Sequence, residues 1–383
     1  MAGTSGEPKS EVSLMDAGYS RAMYDFVVVG AGPAGSRFSR QAAAAGHDVL
    51  VLERGEVGTP LACSGHVSTD VWGFTPDGAR TDLLQNEISG ARFHAGGPGE
   101  RAHLFYKDET ISNVIDRVGL DRTLARAARE AGADLREHHS VVDVEEHADR
   151  VSVTARTPDG KRTFDARMVA GCDGPVSRVR RELDLPEPGE KLQGVLAFSE
   201  ENDPGAHVDV HLSVPEFFAW RIPRAEAGVE YGLAAAPGEN ATGLFEAFTD
   251  GYGVETGETC AGMIPIGPPD RVTGYRSFLI GDAAAQTKPF TGGGIVYGMT
   301  AADHAAREID PQNPGSLADY ETAWRDDLAR EIRLGHWVRR AYSLPKPLQN
   351  AGLSALSGKI GVHMDKPTTL FSPESLKTLL SRS

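Results

Sequence analysis

The chain predicts an α/β protein. It combines a parallel, dinucleotide-type sheet, an inserted antiparallel sheet (an α+β insert) and C-terminal helices. Three observations carry this. A strand, a glycine turn and a helix follow one another from Tyr24. A second strand-to-glycine turn comes late, at Gly281-Asp282. Between them, residues 190–235 read as successive short strands.

Taken in order, residues 1–22 are small and polar and read as a flexible tail. Tyr24 to Val29 is an apolar run ending in Gly30, the pattern of a buried parallel strand. Ser36 to Ala45 is alanine-rich and stops at Gly46, which predicts a helix. Asp48 to Leu52 is a second buried strand ending in Glu53. Residues 55–115 look irregular, with strand-like pieces at Ala91–Phe93 and His103–Tyr106. Leu120 to Ala131 has helical spacing. Residues 140–156 and 163–170 read as a strand meander. Strands are then expected at Gly194–Phe198, Ala206–Leu212, Phe217–Ile222, Tyr231–Ala235 and Phe278–Ile280. Helices are expected at Gly243–Thr249, Gly293–Glu308, 316–343 and 373–381. The nucleotide-type domain is expected to be discontinuous, from 23–90, 108–185 and 270–310. Residues 91–107 and 186–269 would form the sheet-based substrate domain, and 311–383 a helical region.

Composition narrows the function classes. The formal charge is −15, with 54 acids against 39 bases, which argues against a nucleic-acid partner. Only nine of those bases are lysines, and an acidic, lysine-poor surface suits a salt-rich interior. Three cysteines, Cys63, Cys172 and Cys260, make no disulfide framework and fit a reducing cytoplasm. No leader-like or membrane-spanning apolar run is read. The histidines show no metal-ligand spacing, so no metal is expected; His207 and His211 fall on an alternating strand pattern.

The motifs point to a dinucleotide. In Gly30-Ala31-Gly32-Pro33-Ala34-Gly35 the glycines permit a tight turn and close approach of the backbone to a pyrophosphate. Helix-start amides bind anionic oxygens, and Glu53, with Arg54 after it, stands where ribose hydroxyls are recognised. At the far end, Asp282 would bond a ribityl hydroxyl, while Gly292, Gly293, Gly294 and Ile295 bring backbone to the ring. Two such signatures in one chain predict FAD. Asp173-Gly174 is the third signal, open between a cofactor contact and a structural turn.

Together these motifs resemble the FAD flavoproteins built like aromatic hydroxylases. Two further segments resemble the geranylgeranyl reductase family. One is Pro60-Leu61-Ala62-Cys63-Ser64-Gly65-His66, a cysteine loop beside the flavin in that family. The other is Phe218-Ala219-Trp220-Arg221-Ile222-Pro223-Arg224, its isoprenoid-pocket motif. Asp116-Arg117 matches the segment whose arginine contacts FAD, and the backbone near Val141 would meet the adenine end. Ile222 and Arg224 stand where many members have Phe and Lys, and His66 has no carried-over role. The resemblance implies reduction of geranylgeranyl chains of archaeal ether lipids, or of geranylgeranyl diphosphate. It also implies a prenylated lipid substrate at Phe218, Trp220 and Pro223. An external electron donor (ferredoxin, a deazaflavin or NAD(P)H) and peripheral contact with the cytoplasmic membrane face follow.

Saturating an isolated alkene adds a hydride and a proton, and any positive character calls for a dry, aromatic pocket. Cys63 is the candidate proton donor, weighed against a plain buried cysteine. Three rivals remain at this level. A monooxygenase of the same fold would consume oxygen. A flavin halogenase needs an early lysine, yet none lies between Lys9 and Lys107. A non-catalytic lipid carrier or electron relay would show no turnover.

Overall fold

The structure, a computed structural model, describes residues 23–59 and 63–358. The expected tail, Pro60 to Ala62 of the cysteine loop and the expected helix at 373–381 lie outside the described residues.

The first sheet has the order β8 (Asp134–Arg136), β2 (Val49–Leu52), β1 (Tyr24–Val29), β11 (Gly160–Gly171), β10 (Val151–Thr157) and β9 (Ser140–Glu146). β17 (Ser277–Leu279) adds beside β11. The pairings β8–β2, β2–β1, β1–β11 and β11–β17 are parallel, and β9 to β11 form an antiparallel meander. Val27, Val28, Leu50 and Val51 are fully buried, as strands covered on both faces require. Register does the functional work. Val29 pairs with both Leu52 and Gly171, and Gly171 pairs with Leu279. Gly30, Glu53, Cys172 and Gly281 therefore leave the sheet at one edge, the carboxyl ends where α/β proteins bind ligands.

α1 (Pro33–Ala44) packs against α3 (Arg117–Glu130) and α6 (Ile295–Glu308), and α7 (Leu317–Arg340) packs on α6. Pro33 opens α1, where a missing N–H costs nothing. Tyr320 and Trp324 of α7 are fully buried in the core of this sheet, so the C-terminal region is part of its foundation. The short α2 (Ala79–Leu83) and α4 (Arg178–Glu182) sit in connections.

The second sheet runs β16 (Cys260–Ile266), β12 (Glu190–Ser199), β15 (Val229–Ala235), β14 (Ala219–Pro223), β13 (His207–His211), β5 (Gly90–His94) and β6 (Ala102–Tyr106). One pair departs from the antiparallel expectation. β13 and β5 run parallel, because they come from separate passes of the chain rather than from one hairpin. α5 (Ala241–Tyr252) covers one face through Phe245 and Phe248. On that face His94 stacks on His211, with ring centroids 4.2 Å apart. His211 bonds the Tyr252 hydroxyl at 2.7 Å, and burial and the neighbouring His94 push its pKa down to about 4. The pair is a structural core polar cluster under α5.

A third sheet, β3 (His66–Ser68), β7 (Ser112–Ile115) and β4 (Leu84–Ile88), occupies part of the stretch that reads as irregular. Its strands are short and belong to no hairpin repeat, so the period-two signal is brief. β16 and α8 (Lys346–Leu356) were also not expected. Pro265 and Gly262 mask the first, Pro347 and Gly352 the second.

Candidate functional site

Gly30 has φ +99°, and a Cβ there would come within 2.5 Å of the Cys172 carbonyl oxygen. A Cβ on Gly35 would lie 2.1 Å from the Gly30 carbonyl oxygen. Both positions are closed by backbone. Gly32, the residue before α1, lines the cavity, and a Cβ there would meet nothing within 4 Å. Glu53 braces this turn, accepting from the Ala31 amide at 2.8 Å and the Gly55 amide at 3.2 Å.

The late turn is anchored from below. Gln286 accepts from the Gly281 amide at 2.7 Å and donates to Tyr320, whose hydroxyl donates to the Leu279 carbonyl. Asp282 faces the interior, and burial pushes its pKa up to about 6, offset in part by Arg117. A Cβ on Gly294 would fall 2.6 Å from the Asp282 carboxylate, which fixes the loop against α6. Lys288, not anticipated from sequence, lines the interior beside Gly293.

Arg117 is buried at the start of α3 and bonds Asp121. Burial opposes its charge, yet Asp121 and the neighbouring Cys63 sulfur raise its pKa overall. Its Nε has no hydrogen-bond partner. Backbone closed to side chains at Gly30 and Gly35, open space beside Gly32, an unmatched Arg117 Nε and a buried Asp282 carboxylate fit the pyrophosphate, ribityl and ring-edge groups of FAD.

One cavity of about 690 Å³ joins these groups to the second sheet. Along β14 the side chains alternate, as strand geometry requires. Phe218, Trp220 and Ile222 line the cavity, while Arg221 turns away to Asp203 and Tyr231. Phe93, Val210 and Leu212 extend the apolar wall. The far end is closed by Leu344, Leu348, Leu353 and Leu356 around α8. Polar groups are few on this half: His66 bonds Ser112 at 2.8 Å, and the buried Ser68 hydroxyl has no partner.

The structure thus gathers Gly32, Ala34, Cys63, Ser64, Arg117, Asp282, Gly293, Gly294 and Ile295 with Phe218 and Trp220 on one cavity. Gly281 lines it too, and Gly30, Gly35, Glu53 and Gly65 sit in the turns beside it. Gly65 has φ +67°, and a Cβ there would meet the Ile115 carbonyl oxygen at 2.6 Å. Four residues stand apart. Pro223 follows the alternation to the other side and does not line the cavity. The Asp173 carboxylate caps α4, accepting from Ser177 Oγ and the Arg178 amide at 2.6 Å each. Cys172 and Gly174, on either side of it, do line the cavity. Arg54 is exposed. Val141 is buried in β9, but the chain just before it touches Glu53, with the His139 amide donating to the Glu53 carbonyl at 2.8 Å.

Sequence reading missed Glu230. It is fully buried on β15, accepting from Trp220 Nε1 at 2.8 Å and Arg224 Nη1 at 2.9 Å. Its only sequence signal is an acid inside an otherwise apolar strand.

The fold and these contacts define an FAD-binding flavoprotein, and comparison with known proteins agrees. The FAD binding domain family matches residues 23–205. Digeranylgeranylglycerophospholipid reductase 2 of Methanopyrus kandleri is 30% identical over 373 residues, covering 87% of this chain and 89% of that protein. The Thermoplasma acidophilum digeranylgeranylglycerophospholipid reductase is 26% identical, covering 83% and 87%. Among solved structures, a geranylgeranyl bacteriochlorophyll reductase-like protein from Thermoplasma acidophilum superposes with a TM-score of 0.78 at 22% identity, covering 94% of this chain and 96% of that one. The anhydrotetracycline hydroxylase of Streptomyces rimosus shares the fold at a TM-score of 0.66 and 21% identity, covering 94% and 76%. The chain belongs to the digeranylgeranylglycerophospholipid reductase family, and its cofactor is FAD.

Proposed function

We propose that the protein is a flavin-dependent oxidoreductase. In this reading it saturates the double bonds of geranylgeranyl chains, carried on an archaeal-type ether phospholipid or on geranylgeranyl diphosphate. One observation carries this reading. The cavity runs unbroken from the flavin-binding glycines to the leucines of α8 and is apolar over its outer half. A long unactivated hydrocarbon is the ligand whose chemistry matches such a wall.

FAD held there would, in its reduced form, supply hydride chemistry, and an external donor, whether ferredoxin, a deazaflavin or NAD(P)H, would have to restore it. The chain's own residues orient the alkene and supply the second hydrogen as a proton. Phe218 and Trp220 meet edge to face, with ring centroids 5.9 Å apart, and offer faces to positive character in the alkene. Cys63 is the proposed proton donor. Its sulfur stands beside the Arg117 guanidinium, which would neutralise the charge left when the proton departs.

We also propose docking on the bilayer surface at the α8 end. No described helix is long and apolar enough to cross a membrane. Trp337 is 66% exposed, and Leu344 and Leu348 are exposed at the cavity end. In a chain of net charge −15, residues 332–358 hold no acid and include Arg333, Arg340 and Lys346. An apolar rim with basic neighbours suits an anionic lipid surface.

The test is direct. Dithionite-reduced holoprotein is incubated with digeranylgeranylglycerophospholipid or geranylgeranyl diphosphate and the products weighed. A gain of two hydrogens per double bond is expected, and no gain on any prenyl substrate overturns the reading. Full turnover by Cys63→Ala would remove the proton-donor role alone.

A further inference from the structure

Strand β14 and the Cys63–Gly65 loop belong to different sheets, and one buried polar link joins them. Glu230 lies on β15, 0% exposed. One of its carboxylate oxygens accepts from Trp220 Nε1 at 2.8 Å, and the other from Arg224 Nη1 at 2.9 Å. Arg224 donates onward to the Ser64 carbonyl at 2.6 Å, to Gln85 Oε1 at 2.5 Å and to the Ile115 carbonyl at 3.1 Å. Ser64 follows Cys63, and Ile115 stands two residues before Arg117. The link therefore runs from the aromatic wall to the two backbone points that carry the flavin-side side chains.

The indole has little freedom otherwise. Trp220 pairs across the strands with Gly232, where a Cβ would come within 2.4 Å of indole Cε2 and Cζ2. The ring packs over Gly232 of β15 and edge to face with Phe218, and the bond to Glu230 holds its Nε1 edge. An apolar side chain would fill this place without the desolvation cost of a buried ion. The buried carboxyl group has a geometric use.

We propose that Glu230 is a positioning residue: it sets the Trp220 indole relative to the Cys63–Gly65 loop and so decides which segment of the bound chain faces the reacting centre. The inference rests on the reductase reading above, and it acts through Trp220 rather than on the substrate.

The experiment uses holoprotein labelled with 5-fluorotryptophan, whose Trp220 resonance is assigned with Trp220→Phe. In Glu230→Leu that resonance should shift or broaden while the flavin spectrum stays unchanged. The turnover number on a geranylgeranyl substrate should fall roughly tenfold, with KM changing little and partially reduced products accumulating. Glu230→Gln keeps an acceptor for the indole and should recover most of the loss, and it carries the test if Glu230→Leu does not fold. In the Trp220→Phe background neither change should cost more. Wild-type turnover in Glu230→Leu, or losses that add fully to that of Trp220→Phe, would overturn the proposal. If the wild type reduces no prenyl chain, the reductase reading fails instead. The fluorine resonance then still decides whether Glu230 fixes the indole: an unmoved line in both variants overturns that too.

Discussion

The two ends of the cavity are made of different materials. At the proposed flavin end the backbone sets the shape, and at Gly30, Gly35 and Gly294 a Cβ would meet other atoms at 2.5, 2.1 and 2.6 Å. At the lipid end side chains do it, alternating from β14, β13 and β5, with leucines of α8 at the far end. The difference teaches which half can vary. A backbone cradle has no smaller or larger version, whereas an apolar wall exchanges one side chain for another at modest cost. The Arg117–Cys63–Arg224 region is where the two constructions meet, and it sets charge beside apolar surface.

Gly35→Ala should break the flavin end most completely. Its methyl would stand 2.1 Å from the Gly30 carbonyl oxygen, in the tight turn that joins β1 to α1. A loss of about 3 kcal/mol or more and recovery of little flavin-loaded protein are expected. Absorbance at the flavin band against protein concentration checks this. A normally loaded variant would show that the turn is looser than the glycines imply.

The meeting region can be tested by pH. Burial raises the Glu230 pKa to about 7, against the opposing pull of Arg224 and Trp220. Between the ordinary carboxyl value and 7 the folded protein holds a proton that the unfolded chain has lost. Its contribution to stability is thus fully present below that range and declines as pH rises to about 7. The change is about 3 kcal/mol at most. Denaturant titrations across this range should show that decline in the wild type and its absence in Glu230→Gln. Parallel slopes would mean the carboxyl titrates normally.

At the lipid end Trp220→Ala should lower prenyl turnover by roughly 30-fold while flavin content holds, since the indole touches no cofactor-binding glycine. Loss of FAD together with turnover would erase the separation between the ends. The smallest effect belongs to the rim. Trp337→Ser with Lys346→Glu, neither of which lines the cavity, should weaken sedimentation with anionic vesicles about threefold and leave turnover of detergent-dispersed substrate unchanged. Equal vesicle binding would place the docking face elsewhere.

Much of the flavin end was legible in the chain. A buried strand, a glycine turn and a helix are local patterns, and Glu53, Asp282 and Gly293–Ile295 follow from short spacings around them. Cys63, Arg117 and Trp220 needed the family resemblance, because each looks like an ordinary core residue when read alone. Asp173 shows the limit of a motif: the aspartate is where the pattern puts it, yet its carboxylate is taken up by the start of α4. Pro223 shows the same limit for a strand, since neighbouring positions face opposite sides and a motif does not say which.

By itself the sequence determined the nucleotide turn, the strand runs and the acidic balance, all set by interactions among residues a few positions apart. Tertiary structure decided what those residues meet. It alone brought Ser64 within 2.6 Å of Arg224, 160 positions away, and laid Trp220 against Gly232 and Glu230. The physical reason is that a buried charge chooses its partners by distance and desolvation in three dimensions, and neither quantity is written in the order of the chain.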